Sequence, residues 1–97
     1  MPADEHRRDD IAAAVAAYNR ANPSAALPPN AARLLAVMFP SEDVCQRSQG
    51  AIAAEGFSRD WLRALLRRLV EVGLLSRDRG SARAPNTYRL HLPPVQP

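Results

Sequence analysis

Four side chains at the start of one predicted helix, Arg59, Asp60, Arg63 and Arg67, have types and spacing suited to contact with a polyanion. The three arginines recur every four residues, so a helix with about 3.6 residues per turn carries them along one side. A guanidinium presents a planar fork of donors that matches a phosphate or the outer edge of guanine, and an aspartate can accept from a cytosine amino group. Arg63 is the best placed of the four for a base edge. Ser58, just before the helix, is a good N-cap, and its hydroxyl can also reach a phosphate. Further along, Arg77, Arg79 and Arg83 decorate a polar stretch between two apolar runs. Arginines in such a tip can lie along a phosphate strand or enter a groove of negative potential. The plainer reading of every one of these charges is a solvated surface with ion pairs of little worth. Both sets falling in one short segment is what favours contact.

The elements that must position these residues can be read from the same segment. Leu62, Leu65, Leu66, Leu69 and Val70 follow an i, i+3, i+4, i+7, i+8 pattern, which predicts an amphipathic helix over about 59–72 with an apolar arc. Phe57 precedes the cap and Leu62 lies at the fourth helical position, the spacing of a hydrophobic staple. Gly73 is the expected stop. Residues 74–79 and 87–92 read as two strands, because Tyr88, Leu90 and Leu92 alternate with Thr87, Arg89 and His91. Two strands alone are marginal, so this hairpin must pack on helices. Arg68 lies on the flank of the helix, within reach of backbone or of Glu71. Trp61 reads as a lid over the core, with stacking on a base or a protein partner as its sharper alternatives.

The first half supplies the support. Residues 1–8 are polar and expected to fray. A helix is predicted from Asp9 or Asp10 to about Ala21, with Ile11, Val15 and Tyr18 at helical spacing, either covering the chain's own core or pairing with a second copy. Asn22-Pro23 ends it, and residues 22–30, with three prolines, form a connector. Asn30 caps a helix from Ala31 to Phe39 whose stripe is Leu34, Val37 and Met38, and Pro40 stops it. Ser41, followed by Glu42 and Asp43, reads as the start of a helix reaching about Glu55. Gly50 in its middle leaves open a break near Arg47-Ser48 with a short helix over 49–55.

Composition bounds the rest. Ninety-seven residues make one domain-sized unit. Residues 1–56 carry five arginines and seven acids, a net of −2, whereas residues 57–97 carry eight arginines and three acids, a net of +5. Positive charge thus sits on the helix-and-hairpin segment, the footprint of a nucleic-acid binder. All thirteen cations are arginine, which suits bidentate contact and equally suits a GC-rich coding sequence. The single cysteine, Cys45, excludes an internal disulfide and a cysteine-based zinc site, and fits a reducing compartment. No apolar run nears the roughly 18–20 residues of a membrane span, and no signal-peptide pattern opens the chain. The expectation is a cytoplasmic protein without membrane contact. His6 and His91 have no metal-like companions, so no cofactor or metal is expected. No paired acid and base and no phosphate-cradling loop points to an enzyme.

The motif Ser58-Arg59-x-x-Leu62-Arg63-x-x-Leu66-Arg67-x-Leu69-x-x-x-Gly73-Leu74-Leu75 resembles the third helix and first wing strand of winged helix-turn-helix proteins, and Asn86-x-Tyr88-Arg89-Leu90 resembles their second wing strand. Phe39-Pro40-Ser41 is similar to a short piece found in phage and plasmid replication proteins and small regulators of that superfamily. The resemblance runs from about Ala31 to Leu92. It implies a mainly α fold with a small antiparallel β-hairpin, here a winged helix-turn-helix with an extra N-terminal helix. The expected organisation is an N-terminal helix and connector over 1–29, the winged domain over 30–92 and a tail over 93–97. The implied function is sequence-specific binding of double-stranded DNA in transcription regulation. Helix 59–72 would lie in the major groove and the wing, 76–89, on the backbone, with Ser58, Arg59, Asp60, Arg63, Arg67, Arg77, Arg79 and Arg83 in contact. A homodimer through the N-terminal helix would fit two half-sites. Two alternatives remain: an accessory factor in replication, excision or partition of a mobile element, and a winged helix used to bind protein, for which Trp61 is the motive.

Overall fold

A computed structural model describes residues 3–80 and 86–92, and it is mainly helical with one small antiparallel sheet. The first helix, α1, spans Ala3–Ala21 and so begins before the expected Asp9 or Asp10. Arg7 accounts for much of that extension. Its guanidinium pairs with the Asp43 carboxylate and donates to the Ser41 carbonyl at 3.3 Å, which ties the early turns to a distant loop. Ile11 and Val15 are buried and Tyr18 is half-buried against the same core, so α1 covers the chain's own interior. The proline-rich connector is held locally. Asn22 donates to the Tyr18 carbonyl, the Leu27 N–H donates to the Asn19 side chain at 2.8 Å, and Leu27 itself is buried.

Helix α2, Ala31–Met38, buries Ala31, Leu34, Leu35 and Met38. Leu35 thus takes the inward place expected of Val37, which is only half-buried. Asn30 stands at the N-cap position without a capping side-chain bond. Phe39 closes the helix fully buried.

The segment after Pro40 is not the helix that Ser41 and its acidic neighbours suggest. It bends through residues 40–43 and enters a two-residue strand, β1, Val44–Cys45. The capping role falls to Ser48, whose hydroxyl accepts from the Ala51 N–H at 3.1 Å and opens the short helix α3, Gln49–Ala53. This agrees with a break near Arg47-Ser48, except that α3 stops at Ala53. The physical reason is long-range. An isolated strand this short has no stability, but the Leu90 N–H donates to the Asp43 carbonyl at 2.8 Å and Cys45 pairs with Tyr88. Those bonds outweigh a local helix-start signal.

Helix α4, Arg59–Glu71, matches the expectation closely. Leu62, Leu65, Leu66 and Leu69 are buried on one side, each contributing on the order of 1.5–3 kcal/mol on removal from water. Gly73, at φ 86°, terminates it with a paired closure: Leu74 N–H to the Leu69 carbonyl and Gly73 N–H to the Val70 carbonyl. The chain then forms β2, Leu75–Asp78, and β3, Thr87–Leu90, and the sheet order is β1-β3-β2. The expected two-stranded hairpin is therefore a three-stranded sheet. A further bond from His91 N–H to the Leu74 carbonyl carries the β2–β3 pairing beyond the strand ends. Leu75, Leu90, Tyr88 and Cys45 turn their side chains inward, where one continuous apolar cluster joins α1, α2, α4 and the sheet. Gln49 donates to the Tyr88 hydroxyl at 3.2 Å and links the start of α3 to β3.

Candidate nucleic-acid interface

The N-terminus of α4 is built by Ser58, whose extended backbone lets its hydroxyl oxygen accept from the Trp61 N–H at 3.1 Å. The hydroxyl hydrogen stays available, so capping does not prevent a further donation outward. Phe57 does not simply staple onto Leu62. Its ring stacks on Trp61 with centroids 5.4 Å apart and planes inclined by 6°, and the Arg33 guanidinium lies 4.9 Å from the Phe57 centroid. Trp61 is half-buried, which agrees with a lid over the core. The stack braces the first turn of α4 from the side of α2.

Arg59, Asp60, Arg63 and Arg67 are all exposed, opposite the leucine face. At 1.5 Å per residue the three arginines extend over about 12 Å of helix. Among the described residues, no carboxylate lies within ion-pair distance of them. Arg59 differs from the other two in direction. One of its guanidinium nitrogens lies 3.4 Å from where a β-carbon on Gly50 would sit, so this side chain leans back over α3.

In the sheet, register decides which arginines of β2 and β3 face which way. Arg77 pairs with Tyr88 and shares the sheet face of Leu75 and Leu90, the face turned toward the helices, yet it is itself exposed near the strand end. Arg89 pairs with Ser76 on the opposite face, 3.5 Å from the carboxylate of Asp78. Arg79 follows β2 directly and is exposed. The base of the tip is pinned where the Gly80 N–H donates to the Asn86 side chain at 3.0 Å. Arg83 lies outside the described residues. Thus Ser58 caps the helix that carries Arg59, Asp60, Arg63 and Arg67, while Arg77 stands on the strand that follows it and Arg79 just beyond that strand.

Several arginines serve the fold instead. Arg68, half-buried, donates to the Ala25 carbonyl and keeps its Nε buried without a partner, so it straps α4 to the connector rather than pairing with Glu71. Arg47 donates to Glu55 at 2.9 Å and to the Ala51 carbonyl, and Arg33 donates to the Glu55 carbonyl at 3.4 Å. The Arg33–Phe57–Trp61 stack joins residues far apart in sequence, and no spacing or motif signals it. Among the described residues, no helix is long and apolar enough to cross a membrane. Comparison of the chain with protein-family models, with curated proteins and with solved structures finds no match.

Proposed function

We propose that this chain binds double-stranded DNA in a sequence-specific manner, as a winged helix-turn-helix regulator of transcription. Helix α4 enters the major groove and the β2–β3 wing follows the adjacent backbone. The single observation that carries this reading is the division of α4: four buried leucines on one side, and Arg59, Arg63 and Arg67 exposed on the other with no carboxylate within ion-pair distance among the described residues. Asp60 and Glu71 lie at helical spacing from Arg63 and Arg67, yet neither forms an ion pair with them, so the helix keeps an excess of unengaged positive charge on this face. Arg63 is assigned to a guanine edge, while Arg59, Arg67, Arg77, Arg79 and Arg83 act on phosphates. Ser58 donates to a phosphate, and Asp60 accepts from a cytosine amino group or orients an arginine.

Selection of bound duplexes from a random pool at two salt concentrations tests the proposal. A recurring sequence that survives the higher salt is expected, and Arg63→Ala should weaken binding to it by roughly 1–3 kcal/mol. Retention without any recurring sequence, or binding unchanged by Arg63→Ala, would overturn it. Pairing of two copies through α1 would have to use its exposed face, which includes Ala12, Ala13, Ala16 and Ala17, because Ile11 and Val15 are buried inside the chain. A palindromic selected site together with a dimer in analytical ultracentrifugation is the result expected of such pairing.

A further inference from the structure

A groove of about 560 Å³, with no residue of α4 in its lining, lies between α1, α2 and the loop that leads into α3. Its floor is apolar, formed by Ala36, Val37 and Pro40, and three arginines border it: Arg8 from α1, Arg33 from α2 and Arg47 from the loop. Among the described residues one acid, Glu55, lines it, and that carboxylate is already bonded to Arg47 at 2.9 Å. Arg33 has only the Glu55 backbone carbonyl as hydrogen-bond acceptor among the described residues, at a long 3.4 Å, and Arg8 is exposed. Among the described residues, neither Arg8 nor Arg33 has a carboxylate within ion-pair distance, and both border a surface that water solvates poorly.

We propose that this groove binds a small organic carboxylate with an apolar body, the acid group resting between Arg8 and Arg33 and the body lying on Val37 and Ala36. The volume falls in the range of roughly 300–1,000 Å³ usual for small-molecule sites. Paired guanidinium forks match a carboxylate bidentately. A nucleic-acid backbone would use the cations but gain nothing from the floor, which is why the carboxylate is the better fit. The site stands whether or not α4 meets DNA. It also carries its own reporter, because Arg33 lies on the Phe57 ring and Phe57 stacks on Trp61, the only tryptophan of the chain.

The test uses the full chain with octanoate as probe, acetate as the acid without a body and 1-octanol as the body without an acid. Titration is followed by calorimetry and by Trp61 fluorescence. Octanoate should bind once per chain and change the Trp61 emission, and acetate and octanol should each bind at least about tenfold more weakly. Arg8→Gln, an exposed change outside the stack, should keep the parent's circular dichroism and weaken octanoate roughly tenfold, the loss of one charge-assisted contact. Octanoate binding no tighter than acetate, or binding equally to Arg8→Gln, overturns the proposal. So does the outcome in which octanoate fails to bind while Arg8→Gln lowers retention on duplex DNA, since the groove would then serve phosphates.

Discussion

Arg67 and Arg68 are adjacent, carry the same charge and lie on the same helix, yet the structure gives them opposite work. Arg67 is exposed with no partner among the described residues. Arg68 is half-buried and bonded to the Ala25 carbonyl. Replacing each with alanine removes one unit of charge from α4, so any difference between the two variants reports placement and not composition. If Arg67 meets a phosphate, its loss should reduce the slope of log affinity against log salt by about 0.9. Raising salt fourfold would then separate parent and variant by about 3.5-fold through that slope alone. Thermal stability should stay within roughly 0.5 kcal/mol, as for other free surface positions.

Arg68→Ala should show the reverse pattern. A hydrogen bond involving a charged group contributes about 1.5–3 kcal/mol, but the buried Nε has no partner, and removing it recovers on the order of 1 kcal/mol. The net loss is about 1 kcal/mol, or roughly 4–8 °C in midpoint for a domain of this size. Its salt slope should match the parent's. The assay is fluorescence anisotropy on one selected duplex across a salt series, paired with thermal melts of the free proteins. Equal flattening of the slope by both variants would mean that helix charge alone matters and would refute the placement argued here. An unchanged slope for Arg67→Ala would remove α4's outer face from the interface.

Two glycines should respond in opposite directions in chemical denaturation. Gly50→Ala, in a helix and with ordinary contact distance to Arg59, should stabilise by about 0.5–1 kcal/mol, whereas Gly73→Ala, at φ 86°, should cost about 1–2 kcal/mol. Ile11→Ala should cost roughly 2–5 kcal/mol, because Ile11 is fully buried; a loss under 1 kcal/mol would show that α1 is peripheral to the core.

What could be read in advance divides along the range of the interactions involved. Helix α4 follows from residues within a few positions of each other: the Ser58 cap, the leucine arc and the Gly73 stop all act locally, and all appear as expected. The alternation around Tyr88 likewise places β3. The strand β1 could not be read this way, since two residues have no periodicity and its partner lies more than forty positions away. The charges of Glu42 and Asp43 pointed to a helix start, but Asp43 answers to Arg7 instead. On the candidate interface, residue types along α4 were enough to nominate its arginines. They were not enough to show that Arg59 leans over Gly50, or that the sheet register turns Arg89 away from Arg77.

The same distinction bears on the strongest objection to a DNA-binding reading, namely that an all-arginine composition places arginine everywhere without purpose. Such a bias sets how many arginines there are, not what each one touches. In this fold, Arg7, Arg33, Arg47 and Arg68 bond to backbone carbonyls or carboxylates across elements, and Arg89 sits beside Asp78. The net charge of the second half therefore overstates what is free to meet a ligand, since two of its arginines are engaged. The arginines left without partners among the described residues fall into two settings. Arg8 and Arg20 of α1 share their helix with Asp9 and Asp10, which dilute their field. Arg59, Arg63, Arg67, Arg77 and Arg79 occur on α4, on β2 and just after it, where Asp60, Glu71 and Asp78 are the only acids and Asp78 stands beside Arg89. Random placement would not be expected to leave five of the seven arginines without partners among the described residues on α4, on β2 and just after it, and that concentration, more than the total, is the argument for a polyanion at α4.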